Sequence, residues 1–275
     1  MVDTPEEPTA PTDPGRPELW FGVDFRNLAG FNRHGRRTFD DRIPRIVDDI
    51  AHVGRAVVCV VELPNPKIAG FTALMQTIGY VHAAGARGRH VYVEDGIHTV
   101  GRKVLDLRPR YRGDDKQGIA VQVDARGVPA LVVTAHLENR DASGTHQVGQ
   151  ATSLVDQGEA YAEKRGIPRS RIVWALDTNS HQRVRTEVFE HRGYVDVFDV
   201  AHSAENPGYR SFVPWGGSPA LGSRIDLIAV HASRPVRRAR LRLTPILTDH
   251  LDLFADLGMD PQDVPPSEPG GPVES

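Results

Sequence analysis

The chain has 275 residues, which is enough to bury a substantial core in one large domain or two small ones. Its formal net charge is only -3, which excludes nucleic-acid binding held mainly by bulk positive charge, so any such partner requires a local basic patch. No apolar run reaches the ~20 residues of a membrane span, and the N-terminus has no signal-peptide pattern, so we expect a cytoplasmic protein without a transmembrane segment.

Proline dominates both ends of the chain. Prolines recur every three residues from Pro5 to Pro17, which is the period of a polyproline II helix, and residues 259–275 are rich in proline and glycine. We therefore expect disordered tails at 1–18 and 259–275 and one folded domain at 19–258. A docking peptide for a proline-binding domain is the alternative for the N-terminal prolines.

The first half of the domain alternates between strand and helix patterns. Apolar runs predict strands at 19–25, 57–61, 90–94 and 103–105, and apolar residues at helical spacing predict helices at 43–53 and 68–81. Glycines predict where the two helices stop, at Gly54 and Gly85. The single cysteine, Cys59, lies inside the second strand, and we interpret it as a core residue because buried apolar surroundings disfavour the reactive thiolate.

The second half opens with a hairpin whose turn is 124–127. The predicted strands lie at 119–123, 128–135, 172–176, 194–200, 224–230 and 250–257, and the predicted helices lie at 147–165 and 183–192. No period of about 20 to 50 residues recurs, so we do not expect a solenoid or a propeller.

A carboxylate and an amide stand two residues apart where the strand at 172–176 ends. Alternate side chains of an extended segment point to the same side, so Asp177 and Asn179 can reach into one small volume. Their oxygens would suit Mg²⁺ or Mn²⁺ together with a phosphate. Asp-Thr-Asn is also a good turn sequence, so both interpretations stay open at this point.

Polar residues of similar chemistry follow or interrupt the other predicted strands. They are Asn27, Glu62, His136, Asp226, Asp249 and His250. Most of them could simply cap turns or be solvated. Asp226, however, lies among apolar residues, and a carboxylate buried there needs a charged or hydrogen-bonded partner. Arg224 on the same strand could be that partner, but His250 is the natural candidate, because carboxylates hold imidazoles in one tautomer in many hydrolases.

The order and spacing of these motifs resemble the endonuclease/exonuclease/phosphatase superfamily, which includes pancreatic deoxyribonuclease, exonuclease III-like enzymes, neutral sphingomyelinases and inositol polyphosphate 5-phosphatases. The resemblance covers about residues 20–257 and depends on six short motifs in order. They are Asp-Phe-Arg-Asn-Leu at 24–28, Cys-Val-Val-Glu-Leu at 59–63, Thr-Ala-His-Leu at 134–137, Leu-Asp-Thr-Asn at 176–179, Arg-Ile-Asp at 224–226 and Thr-Asp-His at 248–250.

The resemblance implies a fold and a metal site. The fold would be a four-layer α-β-β-α sandwich, with two mixed β-sheets packed face to face and helices on the outside. Glu62, with Asn27 and Asp249 nearby, would hold Mg²⁺, with Mn²⁺ as an alternative, because hard cations take oxygen ligands.

The resemblance also implies catalytic roles for the other matched residues. The pair of His250 and Asp226 would activate a water molecule or receive its proton. Asp177 and Asn179 would orient water and phosphate, and His136 would donate a hydrogen bond to a phosphoryl oxygen or to the leaving group. Whether Asp177 or His250 takes the proton stays open at this stage.

Several positions depart from the family pattern. Leu176 replaces the usual glycine, and Thr248 replaces the usual serine. Ala29 stands where some abasic-site nucleases carry a second metal-binding aspartate, and His136 stands where those enzymes often carry tyrosine. Both differences speak against an abasic-site endonuclease. The family strand that reads Gly-x-Ala-Ile-Leu-Ser-Arg is not recognisable between residues 91 and 105.

We therefore expect a Mg²⁺-dependent phosphodiesterase, an endonuclease or exonuclease that acts on DNA or RNA as a monomer. A phosphatase or phosphodiesterase for a small phosphorylated molecule or a phospholipid is the alternative, and a non-catalytic binding module on the same scaffold is the third. Arg33, Arg36 and Arg37 could contact backbone phosphates, and Trp215 could stack on a base. A solvated charge cluster and a packing anchor are the alternatives for these residues.

Overall fold

The computed structural model describes residues 20–29, 38–213, 218–242 and 247–259. The two proline-rich ends predicted as tails lie outside the described residues, except for Met259. Arg33, Arg36, Arg37 and Trp215, the predicted substrate contacts, lie outside them as well. None of the helices in the described ranges combines the length and the apolar character that a bilayer crossing requires.

Strands account for much of the regular structure in these ranges. They are β1 (Trp20–Asn27), β2 (Val57–Val61), β3 (Tyr80–Ala86), β4 (Arg89–Glu94), β5 (His98–Asp106), β6 (Gln117–Ala125), β7 (Val128–His136), β8 (Ile172–Asp177), β9 (Tyr194–Asp196), β10 (Ala201–Glu205), β11 (Asp226–His231), β12 (Val236–Arg242) and β13 (Asp252–Gly258). The helices are α1 (Phe39–Val53), α2 (Ile68–Thr77), α3 (Thr145–Lys164), α4 (His181–Val184) and α5 (Val197–Val200). Helix α4 continues into a π turn (Arg185–Phe189) and a 3₁₀ turn (Glu190–Arg192), and further 3₁₀ turns lie at Asn65–Lys67 and Arg169–Arg171.

The strands form two mixed β-sheets. One sheet has seven strands in the order β10-β12-β13-β1-β2-β4-β3, and the other has six in the order β5-β6-β7-β8-β11-β9. Each sheet contains a parallel pair in its middle, β1 with β2 and β7 with β8, among antiparallel neighbours. Because the carboxyl ends of a parallel pair meet at one edge, residues that follow these strands are brought together.

Three apolar clusters separate four layers. In β2, Val57, Cys59 and Val61 face a core between the two sheets, while Val58 and Val60 face a second core under α1 and α2. The third core lies between the six-stranded sheet and α3. This arrangement confirms the α-β-β-α sandwich predicted from the sequence, and the strand at 57–61, which is apolar throughout, is buried on both faces.

Most predicted elements are present, but two were wrong in part. The second helix ends at Thr77 rather than at 81, because Gly79 adopts a φ of 82°, and the residues that follow it form β3. The segment 194–200 is a strand only to Asp196 and then becomes α5. Strands β10 and β12 were not predicted, since the four arginines of β12 hide its alternation of buried and exposed positions.

Glycine at position 158 permits close packing between α3 and β8. A Cβ atom added at Gly158 would lie 2.6 Å from Cη2 and 2.9 Å from Cζ3 of Trp174, a fully buried ring. We expect Gly158→Ala to lower the free energy of unfolding by about 1–2 kcal/mol, since overpacking outweighs the gain in helix propensity. Urea unfolding of the purified variant measures this change.

Gly70 in α2 provides the matched control. An added Cβ there meets no heavy atom within 4 Å among the described residues outside its own helix backbone and chain neighbours. Gly70→Ala should therefore leave the free energy of unfolding unchanged or raise it by up to about 1 kcal/mol. A Gly158→Ala variant as stable as Gly70→Ala would contradict the packing explanation.

Candidate active site

Five of the predicted site residues lie where the central strands of the two sheets end. Asn27 is the last residue of β1, and Glu62 follows β2 directly. His136 and Asp177 are the last residues of β7 and β8 and are in register with each other. Asp226 opens β11 and is in register with Asp177 across an antiparallel pair. Strand pairing therefore brings together residues that are far apart in the chain.

Asp177 is the centre of this group. Its Oδ2 accepts a hydrogen bond of 2.8 Å from the side-chain nitrogen of Asn27, which also lies 3.3 Å from Oε1 of Glu62. Nε2 of His136 lies 3.6 Å and Nε2 of His250 lies 4.0 Å from the same Oδ2 atom. The carboxylate is only 1% exposed, so its neighbours replace water as its surroundings.

His250 and Asp226 form a buried pair, as the buried carboxylate led us to expect. The Nδ1 atom of His250 lies 2.8 Å from Oδ2 of Asp226. Thr248, which replaces the usual serine, keeps the hydroxyl, and its Oγ1 accepts a hydrogen bond of 2.7 Å from the His250 backbone N–H. Ser211 fixes the other partner, because its Oγ accepts a hydrogen bond of 2.8 Å from the Asp226 backbone N–H.

Burial is the largest influence on the titratable groups of the site. It raises the pKa of Asp177 to about 7, and the Asp226 carboxylate adds to this rise. It also raises the pKa of Glu62, and it holds the pKa of His136 well below its usual value. Burial would lower the pKa of His250 too, but the carboxylates of Asp226, Asp177 and Asp249 together outweigh it and raise that pKa to about 10. At neutral pH His136 is therefore neutral and His250 is charged.

Residues with left-handed backbone conformation cluster at the site. Ala29, Glu62 and Asn179 have φ values of 45°, 58° and 51°, a region that residues other than glycine seldom adopt. Asn179 is held there by two contacts: its backbone N–H donates to Oδ1 of Asp177 at 3.1 Å, and its side-chain nitrogen donates to the carbonyl of Leu137 at 3.3 Å. Such strained residues concentrate at functional sites.

The donor set fits a hard divalent cation. Ligand atoms of Glu62, His136 and Asp177 all lie within 4.8 Å of one another, and two of these groups are carboxylates. Asp249 contributes negative charge nearby, since it adds to the rise in the pKa of Glu62. Asn27 turns its amide nitrogen toward both carboxylates and uses Oδ1 to accept the N–H of residue 29 at 2.9 Å. Metal ligation by Asn27 stays a prediction, and it requires the opposite orientation of the side-chain amide, in which Oδ1 faces the two carboxylates.

Helix α1 supports the site through Arg42, which the sequence analysis missed. Its buried guanidinium donates to the carbonyl oxygens of Leu28 at 3.1 Å, of Ala29 at 2.9 Å, and of Leu247. These carbonyls belong to the segment after β1 and the segment before β13. One side chain thus ties together the two loops that flank the site.

A second buried histidine–aspartate pair holds the loops on the other side. Nε2 of His181 lies 3.0 Å from Oδ2 of Asp196, which also accepts a hydrogen bond of 2.6 Å from Arg224. Arg224 therefore pairs with Asp196 rather than with Asp226. This network joins the residues after β8 to the start of β11, which are the segments that carry Asn179 and Asp226.

A cleft with basic residues opens beside Glu62 and His136, and the sequence analysis missed those residues. Its volume is about 410 Å³, and it is also lined by Arg87, Gly88, Arg89, Lys116 and Asn139. The available signal was Arg-Gly-Arg at 87–89, a tight-turn sequence between two strands. The erroneous extension of the second helix toward Gly85 concealed it.

Solved structures share this fold, although no family model and no curated protein matches the chain. An endonuclease/exonuclease/phosphatase family protein from Bacteroides thetaiotaomicron has a TM-score of 0.72 and 13% identity, covering 91% of this chain and 99% of its own. A mannosyl-6-phosphatase from the same organism has a TM-score of 0.70 and 15% identity, covering 86% and 99%. TDP2 from D. rerio, complexed with a single-strand DNA product, has a TM-score of 0.63 and 14% identity, covering 86% and 98%. The chain therefore has the fold that its six sequence motifs predicted.

Proposed function

We propose that this protein, which has the fold of the endonuclease/exonuclease/phosphatase proteins, is a divalent-metal-dependent phosphoester hydrolase and, more narrowly, a nuclease. The observation that supports it most strongly is the buried pair of His250 and Asp226, with the imidazole directed at Asp177 next to Asn27 and Glu62. A solvated charge cluster would not keep two acids and an imidazole this deeply buried.

Hydrolysis of a phosphoester needs a positioned water and neutralised charge on the phosphoryl oxygens. A cation such as Mg²⁺ or Mn²⁺, held by the Glu62 carboxylate with the negative charges of Asp177 and Asp249 nearby, would supply positive charge to those oxygens and to the leaving group. Asn27 holds the carboxylates of Glu62 and Asp177 in place by donating to both. Asn179 also orients the Asp177 carboxylate, because its backbone N–H donates a hydrogen bond to Oδ1.

The proton transfers follow from the difference between two pKa values. His250, whose pKa is raised to about 10, stays protonated at neutral pH and can donate to a phosphoryl oxygen. Asp177, whose pKa is raised to about 7, can exchange a proton at that pH and is the better base for the attacking water. His136 is neutral and can donate one ring N–H to the phosphate or to the leaving group.

A small phosphate ester is the second candidate substrate, and the size of the cleft favours it. A volume of about 410 Å³ matches a small ligand better than an extended strand. One protein of similar fold is a mannosyl-6-phosphatase, whereas another was solved with a single-strand DNA product. The two candidates share the same phosphoester chemistry and differ only in what the phosphate is attached to.

A substrate panel tests the proposal. Supercoiled DNA, RNA, sphingomyelin and inositol phosphates would each be incubated with the protein and Mg²⁺ or Mn²⁺, with cleaved strands, released phosphocholine and released inorganic phosphate as the respective readouts. We expect metal-dependent cleavage of DNA or RNA. Release of phosphate from inositol phosphates alone would favour the small-ester candidate. The absence of turnover on every member would contradict the enzymatic proposal and favour a non-catalytic binding module.

A further inference from the structure

Three basic residues form one wall of the cleft beside Glu62. They are Arg87, Arg89 and Lys116, and we call them the basic wall. Lys116 Nζ lies 3.4 Å from the carbonyl oxygen of Leu137, and Arg89 donates to the carbonyl of His136 at 3.2 Å. The basic wall therefore lies directly against the end of β7, where His136 faces the candidate metal site.

Arg89 is a buried cation and Lys116 a partly buried one, and neither has a short-range counter-ion among the described residues. Among the described residues, no carboxylate oxygen lies within the 4.0 Å of an ion pair from either group. Arg89 is only 8% exposed, and its Nε has no hydrogen-bond partner in the described part of the chain. Burial lowers the pKa of both groups, that of Arg89 to about 10, although Glu62 and Asp177 oppose the change at Arg89.

Arg26, another buried cation, is neutralised by carboxylates at short range. Arg26 lies 2.8 Å from Asp24, 2.8 Å from Asp49 and 3.1 Å from Asp252. Glu138, the acid that acts on Lys116 at longer range, already accepts a hydrogen bond of 2.8 Å from Arg140. Because a cation removed from water without a counter-ion is costly, the positive charges of Arg89 and Lys116 in the basic wall are typical of a site for an anion.

The turn that carries Arg87 and leads into Arg89 is fixed against the site. Arg87 and Gly88 form the two-residue turn between β3 and β4, with φ values of 47° and 80°. The carbonyl of Gly88 accepts a hydrogen bond of 3.1 Å from the N–H of Leu63, the residue after Glu62. A Cβ atom at position 88 would lie 3.1 Å from the Leu63 carbonyl oxygen, so a glycine there allows the hairpin to approach the site. The backbone that leads into Arg89 is therefore in place beside the site before a ligand binds.

We infer that the basic wall binds a second phosphate group of the substrate, one that is not hydrolysed, beside the phosphate positioned at Glu62 and His136. This inference rests on the proposed function and narrows its substrate to molecules that carry two phosphate groups. The second group can be the neighbouring phosphate of a nucleic-acid strand or the other phosphate of a small bisphosphate. Lys116 and Arg89 supply the charge, and Arg87, which is 53% exposed and lies 3.5 Å from Asp115, lines the entrance.

Binding of paired ligands tests the inference without requiring turnover. Thymidine 3′,5′-bisphosphate and thymidine 5′-monophosphate differ by one phosphate, and fructose 1,6-bisphosphate lacks the nucleoside. Binding would be measured by calorimetry in the presence of Mg²⁺, in the His250→Asn background so that the ligands are not hydrolysed. The tested variants carry Lys116→Met, Lys116→Arg or Lys164→Met in addition to His250→Asn. Lys116→Met removes the charge at similar length, Lys116→Arg retains it, and Lys164 is an exposed lysine on α3 that serves as control.

We expect the bisphosphate to bind about 10- to 100-fold more tightly than the monophosphate, as one charge-assisted contact predicts. Lys116→Met should remove this preference and leave monophosphate affinity unchanged, whereas Lys116→Arg and Lys164→Met should keep the preference. Tighter binding of the nucleoside bisphosphate than of fructose 1,6-bisphosphate would support a strand as the source of the second phosphate, and equal binding would support a small bisphosphate.

Two outcomes would overturn the inference. One is equal affinity of the protein with an unmodified basic wall for both thymidine ligands, and the other is an equal loss of affinity for both ligands in the Lys116→Met protein. Failure of the proposed function has a different signature. If the protein hydrolyses no ester but still prefers the bisphosphate in a way that depends on Lys116, the anion site is supported and the proposed enzymatic function is contradicted. If the protein hydrolyses esters but shows no such preference, the proposed function is supported and the anion site is contradicted.

Discussion

Replacing His250 with asparagine is expected to lower kcat for phosphoester hydrolysis by about 10³- to 10⁴-fold while the protein stays folded. The imidazole contacts Asp226 through Nδ1 at 2.8 Å and faces Asp177 through Nε2 at 4.0 Å, so its removal takes away the charged donor of the site. Asparagine can still donate to Asp226, which limits the structural cost of leaving a buried carboxylate. Steady-state kinetics on the best substrate of the panel, with circular dichroism as a check of folding, would measure the loss.

Two further variants separate catalysis from structure. Asp226→Asn keeps the imidazole but removes the carboxylate that raises its pKa, so we expect a smaller loss and a pH–rate profile shifted in the range where His250 titrates. His202→Asn changes an exposed histidine on β10 and should leave kcat unchanged. Retention of wild-type kcat by His250→Asn would remove this residue from the mechanism.

The His250→Asn substitution should also change how the stability of the metal-free protein depends on pH. The pKa of His250 is about 10 in the folded state against 6.5 for a free histidine, so its stabilising contribution is complete below about pH 6.5 and is lost as the pH rises through about 10. The difference in Tm between wild type and His250→Asn should therefore shrink between pH 6 and pH 10. Thermal unfolding in EDTA across this range measures it, and a constant difference would contradict the raised pKa.

Replacing Glu62 with glutamine is expected to reduce metal-dependent activity by about 10³-fold, since a metal ligand carries several kcal/mol of transition-state stabilisation. Glutamine keeps the size of the side chain and can still accept from Asn27, but it lacks the charge that a hard cation requires. The left-handed backbone at Glu62, with φ of 58°, is the same for either residue, so folding should change little. Activity as a function of Mg²⁺ concentration, together with calorimetric titration of the metal, provides the measurement.

Removal of the metal with EDTA and a control variant at an exposed glutamate complete this test. EDTA should silence the wild-type protein, and added Mg²⁺ or Mn²⁺ should restore activity. Glu163→Gln, at an exposed position on α3, should retain the wild-type Mg²⁺ dependence. Full activity in EDTA would refute the metal site altogether, whereas a Glu62→Gln protein with unaltered Mg²⁺ dependence would place the metal elsewhere.

The candidate site was predictable to the extent that short segments carry it. A polar residue after an apolar strand is visible in the chain, which is how Asn27, Glu62, His136 and Asp177 were selected as candidates. The pairing of His250 with Asp226 followed from the cost of burying a carboxylate among apolar residues, and the structure places the two atoms 2.8 Å apart. In each case the signal lies within a few residues of the functional side chain.

The supporting residues could not be found in this way. Arg42 lies on a helix that by pattern is simply amphipathic, yet its guanidinium joins carbonyls that are 205 residues from it at one end and 14 at the other. Asp196 and Arg224 are ordinary charged residues until the fold buries them together. Such contacts depend on chain segments that only meet after folding, and no local pattern reports them.

The amino-acid sequence by itself determined the fold class and most of the elements of this protein, because hydrophobic periodicity acts over a few residues and six ordered motifs, through their resemblance to a known family, tie the strand ends to one architecture. Only the tertiary structure decided that Arg89 and Lys116 line the site. The position of Arg89 depends on the hairpin between β3 and β4 and on one hydrogen bond from Leu63 to Gly88, whereas Lys116 reaches the same cleft from the segment before β6. Charge balance in a buried cleft is a property of neighbours in space, and for that reason it cannot be read along the chain.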